Sequence, residues 1–188
     1  MTRAACGALA LAGLLLAAGP VEAQMSLAPL GGQATAHIGV ASGDDGRGST
    51  LSAGASLAIL EESGWGVEVD FGYADDDNGR TGGLDVQSYM LNVMGMWPKG
   101  RLRPFVVAGG GGLRGRTCAF GCAEVRAWTD WGLSAGGGVQ YVLRESFAVR
   151  GDVRYLTTLA DHPDPFRPRN FNFWRFSVGG TYLWNLVD

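Results

Sequence analysis

The sequence is poor in lysine, histidine and cysteine, and it contains no apolar run long enough to form a transmembrane helix. Lys99 is the single lysine, and 188 residues include two histidines and three cysteines. The net charge of −3, without a basic segment, gives no electrostatic footprint for nucleic acid. The longest apolar run, residues 8–19, is shorter than the roughly twenty residues that a membrane-spanning helix needs. These shortages exclude a helical membrane protein and a nucleic-acid-binding protein.

The first 23 residues have the layout of a signal peptide. Arg3 provides a basic start, the apolar run follows, and Val21, Glu22 and Ala23 precede a cleavage point with small residues at the required positions. We therefore expect export, cleavage after Ala23, and one mature domain over residues 24–188. No cofactor is expected.

Strict alternation of apolar and polar residues marks the rest of the chain as β-strands. In the segment 147–155, Phe147, Val149, Val153 and Tyr155 fall on one face, and three charged residues fall on the other. The same pattern predicts eight strands, at residues 33–42, 49–60, 65–74, 86–97, 103–114, 129–143, 147–157 and 172–184.

The predicted connections alternate in length. Short turns at 61–64, 98–102 and 144–146 alternate with longer polar loops at 43–48, 75–85, 115–128 and 158–171. Long loops at one end and short turns at the other are typical of an outer-membrane β-barrel. A soluble sandwich of two sheets, each with one apolar face, is the alternative.

Three features favour the barrel over the sandwich. The apolar stripe carries no charge, and it has aromatic residues near both ends of most strands, as in the girdles of membrane barrels. The polar face is rich in small residues, which suit a narrow interior. These small residues are Ser52, Gly54, Ser56, Gly72, Gly110, Gly112, Gly132, Ser134, Gly136, Gly138, Ser177 and Gly179. We predict an all-β fold: an eight-stranded antiparallel up-and-down transmembrane β-barrel in the bacterial outer membrane, without a wide pore.

Three segments carry a resemblance to a known family. Residues 103–113, 132–141 and 149–155 resemble motifs of the outer-membrane protein A-like, porin-family barrels, whose members are porin-like or structural surface proteins. The segment 177–184 resembles the carboxy-terminal assembly signal of that family, although residues 185–188 follow it. The resemblance implies recognition by the barrel-assembly machinery through Ser177, Gly179, Tyr182 and Trp184.

Alternation directs six charged side chains toward the interior. They are Glu68, Asp70, Arg150, Asp152, Arg154 and Arg175, three acids and three bases. Because an unpaired charge in a narrow lumen is costly, we predict an ion-pair network. A structural network that fills the lumen is the favoured interpretation, and a gated ion path is the alternative.

Cys118 and Cys122 lie close together in the third long loop, where an oxidising compartment favours a disulfide. A zinc site is disfavoured because no other Cys or His lies nearby. Acidic runs such as Asp75 to Asp77 suit solvated turns or a divalent cation, but their spacing does not match an EF-hand. No metal site is assigned.

Catalysis has little support in the sequence. Only His37 and His162 could serve as imidazole bases, and nothing places a serine nucleophile and an orienting group beside either. We therefore expect no enzymatic activity. Two functions remain: a monomeric structural envelope protein in contact with outer-membrane lipids and lipopolysaccharide, or a surface adhesin whose loops bind an unidentified ligand. A narrow gated ion channel is a further alternative.

Overall fold

The computed structural model describes residues 31–43, 49–75, 84–97, 100–119, 124–159 and 172–185. These residues form one closed antiparallel sheet in which each strand pairs with its sequence neighbours and β1 also pairs with β8. The strands are β1 (Gly31–Gly43), β2 (Ser49–Leu60), β3 (Trp65–Asp75), β4 (Leu84–Met96), β5 (Leu102–Ala119), β6 (Glu124–Arg144), β7 (Phe147–Thr158) and β8 (Asn172–Asn185). Within these ranges, no helix has the length and apolar character that crossing a bilayer requires. The predicted eight-stranded antiparallel barrel is confirmed.

The two ends of the barrel differ in their connections. Gly31, Asn185 and the short turns lie at one end, which we call the turn end, and the opposite end is called the loop end. At the turn end, Gly64 adopts a φ of 87° and donates its N–H to the Glu61 carbonyl oxygen at 2.9 Å. Glycine suits this left-handed conformation because it has no Cβ. The β2–β3 turn can therefore be four residues long.

The prediction of a long loop at residues 115–128 was wrong for most of these residues. Residues 115–119 belong to β5 and residues 124–128 to β6, and the two strands pair as far as Ala119 opposite Glu124. The sequence signal for a strand is an apolar stripe, and the stripe ends where the wall no longer contacts lipid. Backbone pairing needs no such stripe, so the hairpin continues beyond it.

The outward surface is apolar, as predicted. Ile38 is 67% exposed, Leu51 78% and Trp131 75%, whereas the inward-pointing Glu68 is 0% exposed. A water-soluble protein buries its apolar side chains, so this inverted arrangement indicates a wall that faces hydrocarbon.

The sequence analysis assigned Gly110 and Gly112 of β5 to the interior, but in the structure both point outward. A Cβ on Gly112 would meet no atom within 4 Å, and Gly110 shares its outward direction. A Cβ on Gly109 or Gly111 would instead overlap the backbone of β4. The prediction for Gly110 and Gly112 was wrong because a run of four glycines has no alternation and because β5 carries apolar residues on both faces.

Candidate functional site

The interior of the barrel is filled by its own side chains, and its middle is charged. Glu68 and Asp70 lie two residues apart on β3, so that both point inward. The same period places Arg150, Asp152 and Arg154 in a row on β7, while Arg175 lies opposite Arg154 on β8. The structure brings all six predicted residues together, and we call them the ionic layer. Each is buried, with at most 7% of its surface exposed.

Glu68 pairs with two arginines. Its Oε2 lies 2.7 Å from Arg150 Nη2, and its Oε1 accepts a hydrogen bond of 2.8 Å from Arg154 Nη1. Asn92 on β4 donates a third contact at 3.3 Å. Since β3 and β7 are four strands apart in a ring of eight, they lie on opposite walls. The two ion pairs therefore connect walls that no sheet hydrogen bond can connect.

Arg154 contacts every acid of the ionic layer. Besides Glu68, it lies 3.1 Å from Asp152 Oδ2 and 3.6 Å from Asp70 Oδ2. A planar guanidinium with five N–H donors can serve several carboxylates at once, which an ammonium cannot do with the same geometry. Arg154 is therefore the central residue of the layer.

The remaining members complete a balanced set. Arg175 Nη2 donates to Asp70 Oδ1 at 2.7 Å, and the hydroxyl of Ser177 donates to Asp152 Oδ1. Three carboxylates thus face three guanidiniums. Such an arrangement satisfies the requirement that a buried charge has a partner.

Two apolar clusters of inward side chains flank the ionic layer, and sequence reasoning missed both. The loop-end cluster consists of Ala41, Ala74, Val86, Met90, Leu113, Trp128, Leu156 and Phe173. The turn-end cluster consists of Ala58, Met94, Met96, Phe105 and Val107, with Leu60 packed against it. One feature of the sequence could have indicated these clusters. β4 and β5 have apolar residues on both faces, which is typical of strands buried on both sides.

Phe105 connects the turn-end cluster to the ionic layer. The guanidinium carbon of Arg150 lies 4.1 Å from the centre of the Phe105 ring. This is a cation–π geometry, in which the ring face stabilises the cation where water is excluded. Arg150 is therefore held between a carboxylate and an aromatic ring.

The cavities of the interior are unequal in size. An open cavity of about 640 Å³ lies at the turn end, where Gln33, Met96, Arg103 and Glu145 are among its lining residues. Beside Arg175, between the ionic layer and the loop-end cluster, a cavity measures only about 10 Å³.

His37 points into the interior from β1, between Gly54 and Gly179, where added Cβ atoms would overlap its side chain or backbone. Within the described ranges its Nε2 has no hydrogen-bond partner. No described serine is hydrogen-bonded to this nitrogen. In the part of the chain that the structure describes, no three His, Cys, Asp or Glu side chains are placed to hold a metal ion.

Several predicted features fall outside the described residues or remain untested. Cys118 lies in β5, but Cys122 is not among the described residues, so the disulfide stays a prediction. The signal peptide, His162 and Asp76 to Asp77 also lie outside them.

The four residues of the predicted assembly signal all lie on β8. Ser177 and Gly179 belong to the inward face, and Tyr182 lies on the outward surface near the turn end, stacked on Trp184 with ring centres 5.9 Å apart. Tyr182 also makes an edge contact with Phe147 of β7, at 5.4 Å. The aromatic part of the signal therefore presents one continuous surface.

Comparison with known proteins identifies the family. Residues 8–181 match the model of the outer membrane protein beta-barrel domain. The chain belongs to this family. It is therefore a bacterial outer-membrane β-barrel, and both the predicted resemblance and the predicted location are confirmed.

Solved outer-membrane barrels share the fold at low sequence identity. Neisserial surface protein A is similar with a TM-score of 0.65 and 17% identity, over 81% of this chain and 96% of that one. The N-terminal barrel domain of OprF from Pseudomonas aeruginosa gives 0.59 and 13%, over 82% and 97%. Ail, the attachment invasion locus protein of Yersinia pestis, gives 0.56 and 11%, over 84% and 99%. A search of curated proteins found no significant match. At these identities, the likeness concerns the fold alone.

Proposed function

We propose that this outer-membrane barrel has a structural role in the envelope and that its own side chains close its lumen. The observation that carries the proposal is the ionic layer held between two apolar clusters. Its surroundings would be outer-membrane lipids and lipopolysaccharide, and we propose that it acts as a monomer, without enzymatic activity.

The ionic layer opposes conduction because its charges are already paired. A passing ion would have to separate pairs such as Glu68–Arg150, with 2.7 Å between the charged atoms, in surroundings that exclude water. Separating a buried pair exposes both partners to an uncompensated desolvation penalty. The paired charges therefore support a closed lumen.

The apolar clusters oppose conduction for a different reason. Met94, Leu113 and Leu156 are 0% exposed, and each points inward from a different strand. Apolar constrictions exclude water and thereby block ions. An open path would need both clusters and the ionic layer to rearrange.

Planar-bilayer recording tests the closed lumen. The purified barrel, shown to be folded by its heat-dependent gel mobility, is expected to give no discrete current steps. The Met94→Ala/Leu156→Ala variant removes one large side chain from each apolar cluster. Its recordings are compared with those of the unsubstituted barrel, as those of a lumen with weakened apolar packing. Frequent steps from the unsubstituted barrel would contradict the proposal.

The structural role itself is tested in cells. We expect that deleting the gene makes the outer membrane leak an excluded dye, and that a version lacking residues 119–124 restores the barrier as well as the full chain does. If only the full chain restored the membrane barrier, residues 119–124 would be required for the function.

One observation favours a second candidate function, attachment to a surface ligand. β5 and β6 pair with each other as far as Ala119 and Glu124. β4 accompanies β5 as far as Thr117, whereas β7 pairs with β6 only from Gly132 onward. On the β7 side, the hairpin therefore extends beyond its neighbour at the loop end, where binding residues of many proteins lie. Loss of cell adhesion in the variant without residues 119–124, with the membrane barrier intact, would favour this function.

Assembly is the remaining proposal. We propose that the barrel-assembly machinery recognises β8 through Ser177, Gly179, Tyr182 and Trp184. The outward stack of Tyr182 and Trp184 supports this, since it is accessible along the final strand. Tyr182→Ala is expected to reduce the amount of folded barrel in the membrane. Unchanged folded yield would contradict the role.

A further inference from the structure

A pair of arginines lies on the outward wall of β5, near the loop end. Arg116 is exposed and Arg114 is partly exposed, and their even numbers place both on the same outward face as Gly112. The strand register places Arg114 between Gln87 of β4 and Thr129 of β6. The wall therefore carries two adjacent positive charges on the side that faces the membrane.

Two aromatic residues indicate the depth of this pair. Tyr89 and Trp131 flank Gly112 in the register, and they are 50% and 75% exposed. Exposed rings of this kind mark the boundary between hydrocarbon and headgroups. At about 3.3 Å per residue and a tilt near 40°, Arg114 lies about 5 Å above that boundary and Arg116 about 10 Å above it. Both guanidinium groups are thus at the level of lipid headgroups.

We propose that Arg114 and Arg116 bind the phosphate groups of lipid A, the membrane anchor of lipopolysaccharide. The loop end of an outer-membrane barrel faces the outer leaflet, where this phosphorylated glycolipid resides. Guanidinium groups match phosphate oxygens with paired hydrogen bonds, and their charges are opposite. The proposal depends on the outer-membrane location alone and not on the structural role proposed above.

The two arginines differ in their cross-strand neighbours. Asp85 of β4 lies opposite Arg116 in the register and is the acid nearest to it in the pairing. Arg114 has Gln87 and Thr129, both uncharged, as cross-strand neighbours. Asp75 of β3 lies opposite Asp85 in the register, so Arg114 is the member of the pair without an acidic cross-strand neighbour.

The wall below the arginines is apolar. Gly110 and Gly112 present no side chains to the membrane, and the register places Leu91 and Leu133 on either side of Gly110. An apolar strip of wall therefore leads from the hydrocarbon region to Arg114. A ligand with a phosphate above and acyl chains below fits this order of surfaces.

Lipopolysaccharide that copurifies from cells provides the first test. Barrels are extracted from outer membranes in mild detergent with EDTA, which removes bridging divalent cations, and bound lipid is counted by native mass spectrometry. We expect the R114Q/R116Q variant to retain about tenfold less lipopolysaccharide, because both phosphate contacts are lost. The matched control is R101Q/R144Q, which removes the same charge at the turn end and is expected to retain the unsubstituted amount. Equal retention by all three proteins would overturn the proposal.

A titration in detergent identifies the recognised group. Diphosphoryl lipid A is expected to bind the unsubstituted barrel about tenfold more tightly than R114Q/R116Q, while dephosphorylated lipid A binds both equally. Heat-dependent gel mobility confirms that each variant is folded. If inorganic phosphate at equal concentration displaces lipid A, the site recognises a free anion and the assignment to the glycolipid is wrong. Equal affinities of both proteins for diphosphoryl lipid A would also overturn it.

Discussion

The ionic layer and the apolar clusters fill the same lumen by opposite means. In the ionic layer, each charged group depends on a specific partner, as Glu68 depends on Arg150 and Arg154. In the clusters, a side chain such as Leu156 depends only on filling volume among other apolar groups. Loss of one charge should therefore leave an uncompensated opposite charge, whereas loss of one apolar group should leave only a void. The comparison predicts that a substitution in the ionic layer lowers the free energy of unfolding more than a substitution in an apolar cluster.

The two regions also differ in what they specify. Replacing a whole buried ion-pair set by apolar residues is often neutral, so ion pairs are weak evidence for net stability. A shift of β7 by one residue, however, would point Arg150, Asp152 and Arg154 into the lipid, where a charge costs about 2–4 kcal/mol at the midplane. We infer that the ionic layer defines the strand register and that the clusters supply packing.

The largest expected effect is that of Glu68→Gln. The neutral amide leaves Arg150 and Arg154 buried without this carboxylate, so the free energy of unfolding should fall by about 3–5 kcal/mol. Urea titration of the barrel in phospholipid vesicles measures it. The matched control, Glu145→Gln in the exposed β6–β7 turn, should change stability by less than about 0.5 kcal/mol. A loss at position 68 as small as that of the control would remove the distinction between the two regions.

Leu156→Ala tests the apolar side of the comparison. This side chain is fully buried in the loop-end cluster, so the substitution should reduce the free energy of unfolding by about 2–5 kcal/mol through lost burial and a cavity. The same titration applies. Leu159→Ala, three residues later and 61% exposed, is the control and should have a much smaller effect. Equal losses would mean that the cluster is loosely packed.

Gly39→Ala tests how closely the strands approach each other. A Cβ at Gly39 would overlap the carbonyl oxygen of Phe176 on β8, which is backbone and cannot turn aside. We expect a loss of about 1–3 kcal/mol, in the range of overpacked sites. Gly112→Ala, where a Cβ meets nothing within 4 Å, should be close to neutral. If both variants were neutral in vesicle unfolding, the close approach would be refuted.

The smallest effect is expected for Thr35→Val. The hydroxyls of Thr35 and Thr181 are hydrogen-bonded at 2.9 Å inside the barrel, outside the ionic layer. Removing one hydroxyl should reduce the free energy of unfolding by about 1 kcal/mol. The double variant Thr35→Val/Thr181→Val should lose less than the sum of the two single variants. Strict additivity would show that the two hydroxyls are not coupled.

The fold was more predictable from the sequence than the interior. On β7 the alternation of Phe147 to Tyr155 was enough to predict a strand, its two faces and the inward direction of three charges. The partners of those charges could not be predicted, because Glu68 and Arg150 meet across the lumen and alternation carries no information about opposite walls. Phe105 was missed because its strand is apolar on both faces.

The junction of β1 and β8 has a consequence for the order of folding. Thr35 and Thr181, which meet there, are 146 residues apart in the chain. Contacts so distant in sequence close large loops and form slowly. Until the last strand arrives, β1 and β7 each present an unpaired edge, which is a site for aggregation. A chain whose first and last strands are still apart can therefore pair through either open edge with another copy of itself.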